Sequence, residues 1–190
     1  KSPIIFWEQR WLHNIEKNAI PHEQKDFELG KAVFLSNGKD VTIVSFSYQT
    51  LIAKQAAVYL ESLGIRCDLI DPITVRPLDY ESIHASVRKT GNLILVDTSH
   101  EAFSVSSEVV SSVSQHCFHH LKHAPVILGK SAVQGPTSFY LTQGYYPATA
   151  SIIRAVENLL TGKTGVFEIP TQFEEPNLHD IPGDWFNGPF

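Results

Sequence analysis

The chain has 190 residues, 43% hydrophobic and 18% charged, the proportions of a globular domain with one core and a short extension. Its formal charge of −5 excludes a general binder of nucleic acid or of an acidic membrane surface, which would repel it. No apolar run reaches the roughly 18 residues that a membrane-crossing helix requires.

Residues 1–29 open on "KSPIIFWEQR", which holds one strand-like run and neither a start methionine nor a secretory signal. With no methionine anywhere, the chain reads as a piece of a longer protein, and the polar remainder of 1–29 as a linker from a preceding domain. "KAVFL" (31–35) and "VTIVSF" (41–46) are strands, and Asn37-Gly38 between them predicts an antiparallel hairpin. From Tyr48 to Leu63 apolar residues trace one helical face, which Gly64 stops. "IRCDLI" (65–70) is the next strand. Asp79 is placed to cap a helix that carries Glu81 at its positive end, Arg88 and Lys89 at its negative end, and Gly91 as terminator.

"NLILVD" (92–97) predicts a buried strand, and Ser104 to His120 a helix with Val105, Val109, Val110, Val113, Cys117 and Leu121 inward. "APVILG" (124–129) supplies the last strand, and Pro147 to Leu160 a final helix ended by Gly162. This alternation predicts an α/β domain over 30–162 with a largely parallel sheet. Residues 163–190, rich in Pro, Asn and Gly, read as an extended tail that cannot fold alone. Phe173, Trp185, Phe186 and Phe190 suit it to lie across a surface, on a partner, a dimer mate or its own domain. Cys67 and Cys117 sit in apolar segments and read as buried thiols.

"LIDPITVRPLD" (69–79) leaves a strand by two prolines with an arginine between two aspartates. Ligands of open parallel sheets bind beyond the carboxyl ends of strands, and this stretch lies at such an end. Pro77 biases Arg76 toward an extended backbone and leaves Asp71 or Asp79 within its reach. Three readings stay open: a salt-bridged stiff crossover, a subunit contact through Arg76, or an anion-binding loop.

The ordered series Gly30–Ala32, Gly38, Asp40–Val44, Gly64-Ile65, Ile70-Asp71, Arg76–Asp79, Ser86-Val87, Lys89–Gly91 and Val96-Asp97 resembles the transketolase C-terminal domain superfamily. Within it, the series is similar to the β subunit of thiamine-diphosphate-dependent 2-oxoacid dehydrogenases acting on pyruvate or branched-chain substrates. "PIIFWEQRWLH" resembles the last strand of that family's pyrimidine-binding domain, and "YYPATASIIRAVENLL" its terminal helix. Thr98 and Ser99 depart from the pattern, standing where Glu and Gly are usual.

The resemblance implies a three-layer α/β/α fold with a five-stranded mixed, mostly parallel sheet. It also implies that thiamine diphosphate and a divalent metal belong to other domains of a parent enzyme, and that this chain holds no cofactor and does no chemistry alone. The implied partners are a homodimer mate, the α subunit or domain and an acyltransferase subunit-binding domain. The implied location is the cytoplasm, or the mitochondrial matrix in a eukaryote. The expected role is assembly, with Asp71, Arg76, Asp79, Trp185, Phe186 and Phe190 as structural or interface residues. A small-anion or nucleotide-binding module and a transketolase-type domain are the alternatives.

Other motifs read more plainly. His116, His119, His120 and His123 with Cys117 have helical spacing that two zinc ligands could use, but a histidine-rich last helical turn is the simpler reading. "SFSYQT" (45–50) offers amides for a phosphate, or hydroxyls that cap a helix. The serines of 104–114 read as a cap and a solvated face. Glu8 and Arg10 follow a buried-type strand and suit either a domain-linking salt bridge or the edge of a parent's cleft.

Overall fold

A computed structural model describes residues 3–9, 12, 28–130 and 132–174. The strands are β1 Val33–Ser36, β2 Val41–Ser45, β3 Cys67–Asp71, β4 Leu93–His100 and β5 Val126–Lys130. The helices are α1 Tyr48–Ser62, α2 Tyr80–Thr90, α3 Val105–Cys117, α4 Phe139–Thr142, α5 Thr149–Thr161 and α6 Thr171–Glu174.

Alternation along the central strands sorts side chains onto two faces. Val41, Ile43, Cys67, Leu69, Ile94 and Val96 pack with Ala53, Ala56 and Leu60 of α1 and Ile152, Ile153 and Val156 of α5. Val44, Ile70, Leu93 and Leu95 face the other way, onto Ile83 and Val87 of α2 and Val109, Val113 and Cys117 of α3. Each fully buried Leu, Ile or Val contributes about 1.5–3 kcal/mol, so these two clusters dominate the stability of the domain. The strand order is β1-β3-β2-β4-β5, with β1 antiparallel to β3 and the other pairs parallel. The three-layer α/β/α fold with a mixed, mostly parallel five-stranded sheet is therefore the one expected.

The predicted hairpin is not formed. β3 lies between β1 and β2, and the Asn37–Asp40 link passes beneath its amino end. The Lys39 and Asp40 amides donate to the Arg66 carbonyl at 3.2 and 3.0 Å, and Asp40 Oδ2 accepts the Arg66 amide at 2.7 Å. A Cβ on Gly38 would stand 2.2 Å from the Arg66 carbonyl oxygen. The glycine is there for close backbone approach, not for a two-residue turn.

α2 begins and ends as its sequence predicts. Asp79 accepts the Ser82 amide, Glu81 occupies the first turn, and Gly91 closes the helix at φ 75° with its amide on the Val87 carbonyl. α1 stops at Ser62, and the Gly64 and Ile65 amides return to Glu61 and Leu60. The helix expected over 104–120 is α3 followed by a 3₁₀ turn, Phe118–His120. Ser104 caps α3 in a reciprocal pair with Ser107, as the serine run suggested. Residues 3–9 take no regular secondary structure, contrary to the expected strand, and Ile4, Ile5, Phe6 and Trp7 are exposed.

Beyond α5 the chain turns back on its own helices. Buried Glu157 accepts the amides of Gly165 and Phe167. Ile169 is buried with α1 and α5, and the ring of Phe173 meets Tyr59 edge-on at 5.8 Å. Phe173 thus covers its own domain. Trp185, Phe186 and Phe190 lie outside the described residues, as does Arg10.

Candidate functional site

The crossover after β3 is held from both sides. Asp71, half-buried, accepts the Ile73 amide at 2.9 Å. Burial pushes the Asp71 carboxyl above its ordinary range, and hydrogen bonds from Ile73 and the Thr50 hydroxyl oppose that. Thr74 Oγ1 donates to the Pro77 carbonyl at 2.7 Å, across the loop. The Arg76–Pro77 peptide is cis. Ile73 has φ 57°, a region that costs a β-branched residue about 1–3 kcal/mol and persists only where surroundings impose it.

The far end of the loop is tied to the start of β1. Buried Asp79 accepts the Ala32 amide at 3.0 Å and the Ser82 hydroxyl at 2.7 Å on Oδ2, and the Ser82 amide at 3.1 Å on Oδ1. Burial acts to raise its pKa, but these bonds and the Lys31 charge outweigh it and hold the carboxyl below its ordinary value. Gly30, at φ 84°, sits so close that an added Cβ would be 2.7 Å from Pro77 Cγ.

Both aspartates are therefore occupied with backbone and hydroxyl donors. Among the described residues no ion pair within 4.0 Å joins Arg76 to either of them, so the salt-bridged crossover is not what forms. Arg76 is exposed, near enough to Tyr80 to lower the pKa of its phenol, although burial and Glu108 raise it on balance. Leu29, Ile73 and Val75 are exposed at 60%, 46% and 55%, and the approach of Gly30 to Pro77 and of Lys31 to Asp79 brings the 29–31 stretch against the loop. The loop is a rigid mount for an outward-facing patch of apolar groups and two cations. Sequence reasoning singled out Arg76, Asp71 and Asp79 but not Leu29, Lys31 or Ile73, because nothing in a sequence marks an isoleucine that will adopt positive φ.

The remaining candidates do not converge on chemistry. His116 Nδ1 lies 2.8 Å from the Ser112 carbonyl, His123 Nδ1 lies 2.9 Å from Asn92 Oδ1, and Cys117 Sγ reaches the His84 carbonyl at 3.8 Å. The 3₁₀ turn breaks the helical register that would have aligned these histidines. Among the described residues no three His, Cys, Asp or Glu side chains gather to hold a metal. Ser47 precedes α1 at φ 54° and makes no side-chain cap bond, against the expectation that a hydroxyl caps this helix. A shallow open depression beyond β4 is lined by Ser99, His100, Ala102, Phe103, Ser104 and Ala132. Both cysteines are free and buried, and burial with nearby carboxylates pushes Cys67 up to about 12, an inert thiol.

Fold and site together define an α/β domain with a mixed five-stranded sheet and a braced crossover loop at the carboxyl end of β3. The chain belongs to the family described as "Transketolase, C-terminal domain", whose profile matches residues 30–152. It is 32% identical over 163 residues to 2-oxoisovalerate dehydrogenase subunit beta 2, mitochondrial, of Arabidopsis thaliana, covering 83% of this chain and 43% of the relative. It is 32% identical over 163 residues to the pyruvate dehydrogenase E1 component subunit beta of Mesostigma viride, covering 86% and 50%. A solved structure titled as a split gene transketolase in an inactive beta4 tetramer superposes with a TM-score of 0.62 at 30% identity, covering 71% of this chain and 44% of that one. The chain spans half or less of the length of these relatives.

Proposed function

We propose that this chain is the assembly domain of a β-type subunit in a thiamine-diphosphate-dependent 2-oxoacid dehydrogenase, and that it performs no turnover alone. The parent oxidatively decarboxylates a 2-oxo acid. Its thiamine diphosphate and divalent metal are held by pyrimidine- and diphosphate-binding domains outside this chain, and the cofactor supplies the carbanion chemistry. This domain joins a homodimer mate and the α subunit, and offers surface to an acyltransferase subunit-binding domain. Its place of work is the cytoplasm or the mitochondrial matrix, a reading supported by relatives titled as mitochondrial.

The observation that carries the reading is the crossover loop. Asp71 and Asp79 fix its two ends, and the middle presents Ile73, Val75 and Arg76 outward. Pre-ordered apolar groups beside an arginine are the composition of an interface centre, because little conformational entropy remains to be lost on docking. Light scattering on the native assembly tests it. Val75→Asp with Arg76→Glu should weaken association at least tenfold with an unchanged circular dichroism spectrum, and an unchanged mass would sink the reading. Decarboxylation of a 2-oxo acid by the chain alone would sink the claim of catalytic dependence.

A transketolase-type parent is the second reading, favoured by the split gene transketolase chain. Supplying the complementary catalytic chain and comparing sugar phosphates with 2-oxo acids as substrates separates the two.

A further inference from the structure

The loop between β4 and α3 carries the most exposed aromatic side chain among the described residues. Phe103 is fully open to water, at a backbone φ of 57° that aromatic residues rarely adopt. Such an angle persists only where the surroundings impose it, and here they do so on both sides. Before it, Asp97 accepts the Ser99 amide at 3.1 Å and the Ser99 hydroxyl at 2.5 Å, and His100 pairs with Lys130 of β5. After it, Ser104 is locked into its reciprocal cap with Ser107, and its hydroxyl reaches the Glu101 carbonyl at 3.3 Å. Gly129 lets β5 close on this loop, since a Cβ there would stand 2.8 Å from the Ser99 carbonyl oxygen. The ring is therefore an apolar knob on a rigid mount, and burying it costs little conformational entropy.

Beside the knob lies a hole. The depression of about 410 Å³ is walled by Phe103 itself with Ser99, His100, Ala102, Ser104 and Ala132, and has room for one aromatic side chain. A knob and a hole that share a wall are what an isologous contact needs, since each copy then gives the other what it receives. Charge favours the same occupant. Two chains of formal charge −5 repel one another, so they approach most readily through a face without charge. Residues 131–153, which supply Ala132 and exposed Val133, contain no Asp, Glu, Lys, Arg or His. Thr98 and Ser99, the two departures from the family's pattern, bring hydroxyls and no charge. Glu101 does not line the depression, and its Cγ lies 3.1 Å from where a Cβ on Gly129 of β5 would stand.

We propose that two copies of this chain pair about a two-fold axis at the β4–α3 loop, each Phe103 ring entering the other's depression and stacking on the ring that walls it. Aromatic pairing of this kind adds to what burial of the rings contributes. The hole is filled only when the second copy is present. The inference rests on the reading of this chain as an assembly domain, and gives its homodimer mate a face of its own, on the far side of β2 from the crossover loop.

Sedimentation velocity on the full chain should show a dimer that dissociates on dilution. Phe103→Asn removes the knob, and asparagine tolerates positive φ, so association should weaken at least about tenfold while the urea midpoint holds or rises. A residue that served only the fold would lower that midpoint. Ala132→Asp, which places a carboxylate in the hole, should weaken association likewise with an unchanged circular dichroism spectrum. Phe103→Cys with a short bismaleimide should give a linked dimer, because both native thiols are buried and only a second copy can supply another exposed one. A chain that is monomeric at every concentration overturns the proposal, as does a dimer indifferent to Phe103→Asn and Ala132→Asp, or the lack of a linked product. If Val75→Asp with Arg76→Glu dissolves the pair and Phe103→Asn leaves it, the contact belongs to the crossover loop and the proposal falls. If Phe103→Asn dissolves the pair and the mass of the native assembly ignores Val75→Asp with Arg76→Glu, the proposal stands and the crossover reading falls.

Discussion

Asp68 Oδ2 and Lys89 Nζ stand 2.5 Å apart, with the carboxylate wholly buried and the lysine side chain 47% exposed. The same carboxylate accepts the Ser86 hydroxyl and the Gly38 amide, both at 2.6 Å. Asp68 therefore ties together the β1–β2 link, the centre of the sheet and α2, while Lys89 neutralises it from the rim. Replacing Asp68 by Ala strands two donors and a cation, and should cost about 3–5 kcal/mol. Replacing Lys89 by Met lets water reach the carboxylate where the ammonium was and leaves both hydrogen bonds intact, so it should cost about 1–2 kcal/mol. Urea unfolding of both variants checks the ordering. Equal losses would mean that the ion pair, rather than the hydrogen-bond hub, is what the fold depends on.

Asp79 offers a test of the crossover mount that is independent of association. Its carboxylate caps α2 and holds the Ala32 amide, and Asp79→Ala removes both roles. A lost cap costs about 1 kcal/mol and an abandoned partly buried amide about 1–3, so about 2–4 kcal/mol is expected by chemical denaturation. The pKa of Asp79 is depressed in the folded chain, so its contribution is complete above the unfolded carboxyl value, about 3.9, and disappears as pH falls through the folded value. Asp79→Asn should flatten the stability profile below about pH 4. An unaltered acid limb would show that the carboxylate charge is not what the Ala32 and Ser82 donors stabilise.

Two glycines separate space from conformation. Gly38 has ordinary backbone angles but no room, since a Cβ would be 2.2 Å from the Arg66 carbonyl oxygen and 2.3 Å from its carbon. Gly64 has φ +83° and nothing within 4 Å. Gly64→Ala should cost about 1–2 kcal/mol, the left-handed penalty alone. Gly38→Ala forces the link away from β3 and should cost more than about 3 kcal/mol or prevent folding. Thermal unfolding ranks the pair, and the reverse order would mean that the link can move aside without disturbing β3.

How far the sequence carried depended on the range of the interaction. The Asp79 cap, the Gly91 stop and the serine cap of α3 were legible because each is a contact within a few residues. The hairpin was misread for the same reason. Asn37-Gly38 has the local chemistry of a tight turn, and only β3, some thirty residues onward, makes it a passage beneath a strand. The family emerged from motifs in order, which record a whole fold at once. The patch did not, since its parts come from either side of β2 and α1, and Ile73 gives no hint of its backbone until Asp71 is seen accepting its amide. Ser47 misled in the opposite sense, a good capping residue placed at φ 54° where its hydroxyl makes no cap bond.

A last prediction concerns His84, buried between α2 and α3. Its ring stacks on that of His116 with centroids 5.0 Å apart, and its Nε2 lies 3.0 Å from Ser112 Oγ. Tyr80, Glu81, Arg88 and Cys117 complete its surroundings. Burial, then the charges of His116 and Arg88, push its pKa below the ordinary imidazole value, with Glu81 opposing. The unfolded chain then binds this proton first as pH falls. Stability is whole above the unfolded value of about 6.5 and declines below it toward the folded value, by at most about 1.4 kcal/mol per pH unit for the one proton. Protonation of His84 also places a charge in the buried seam between α2 and α3, so the α2–α3 contact should be the part that loosens. Chemical shifts of the His84 imidazole followed by NMR should place its titration below that of a free imidazole, and His84→Gln should remove the slope while keeping a group able to bond Ser112. A titration of His84 at or above the free imidazole value would end this account.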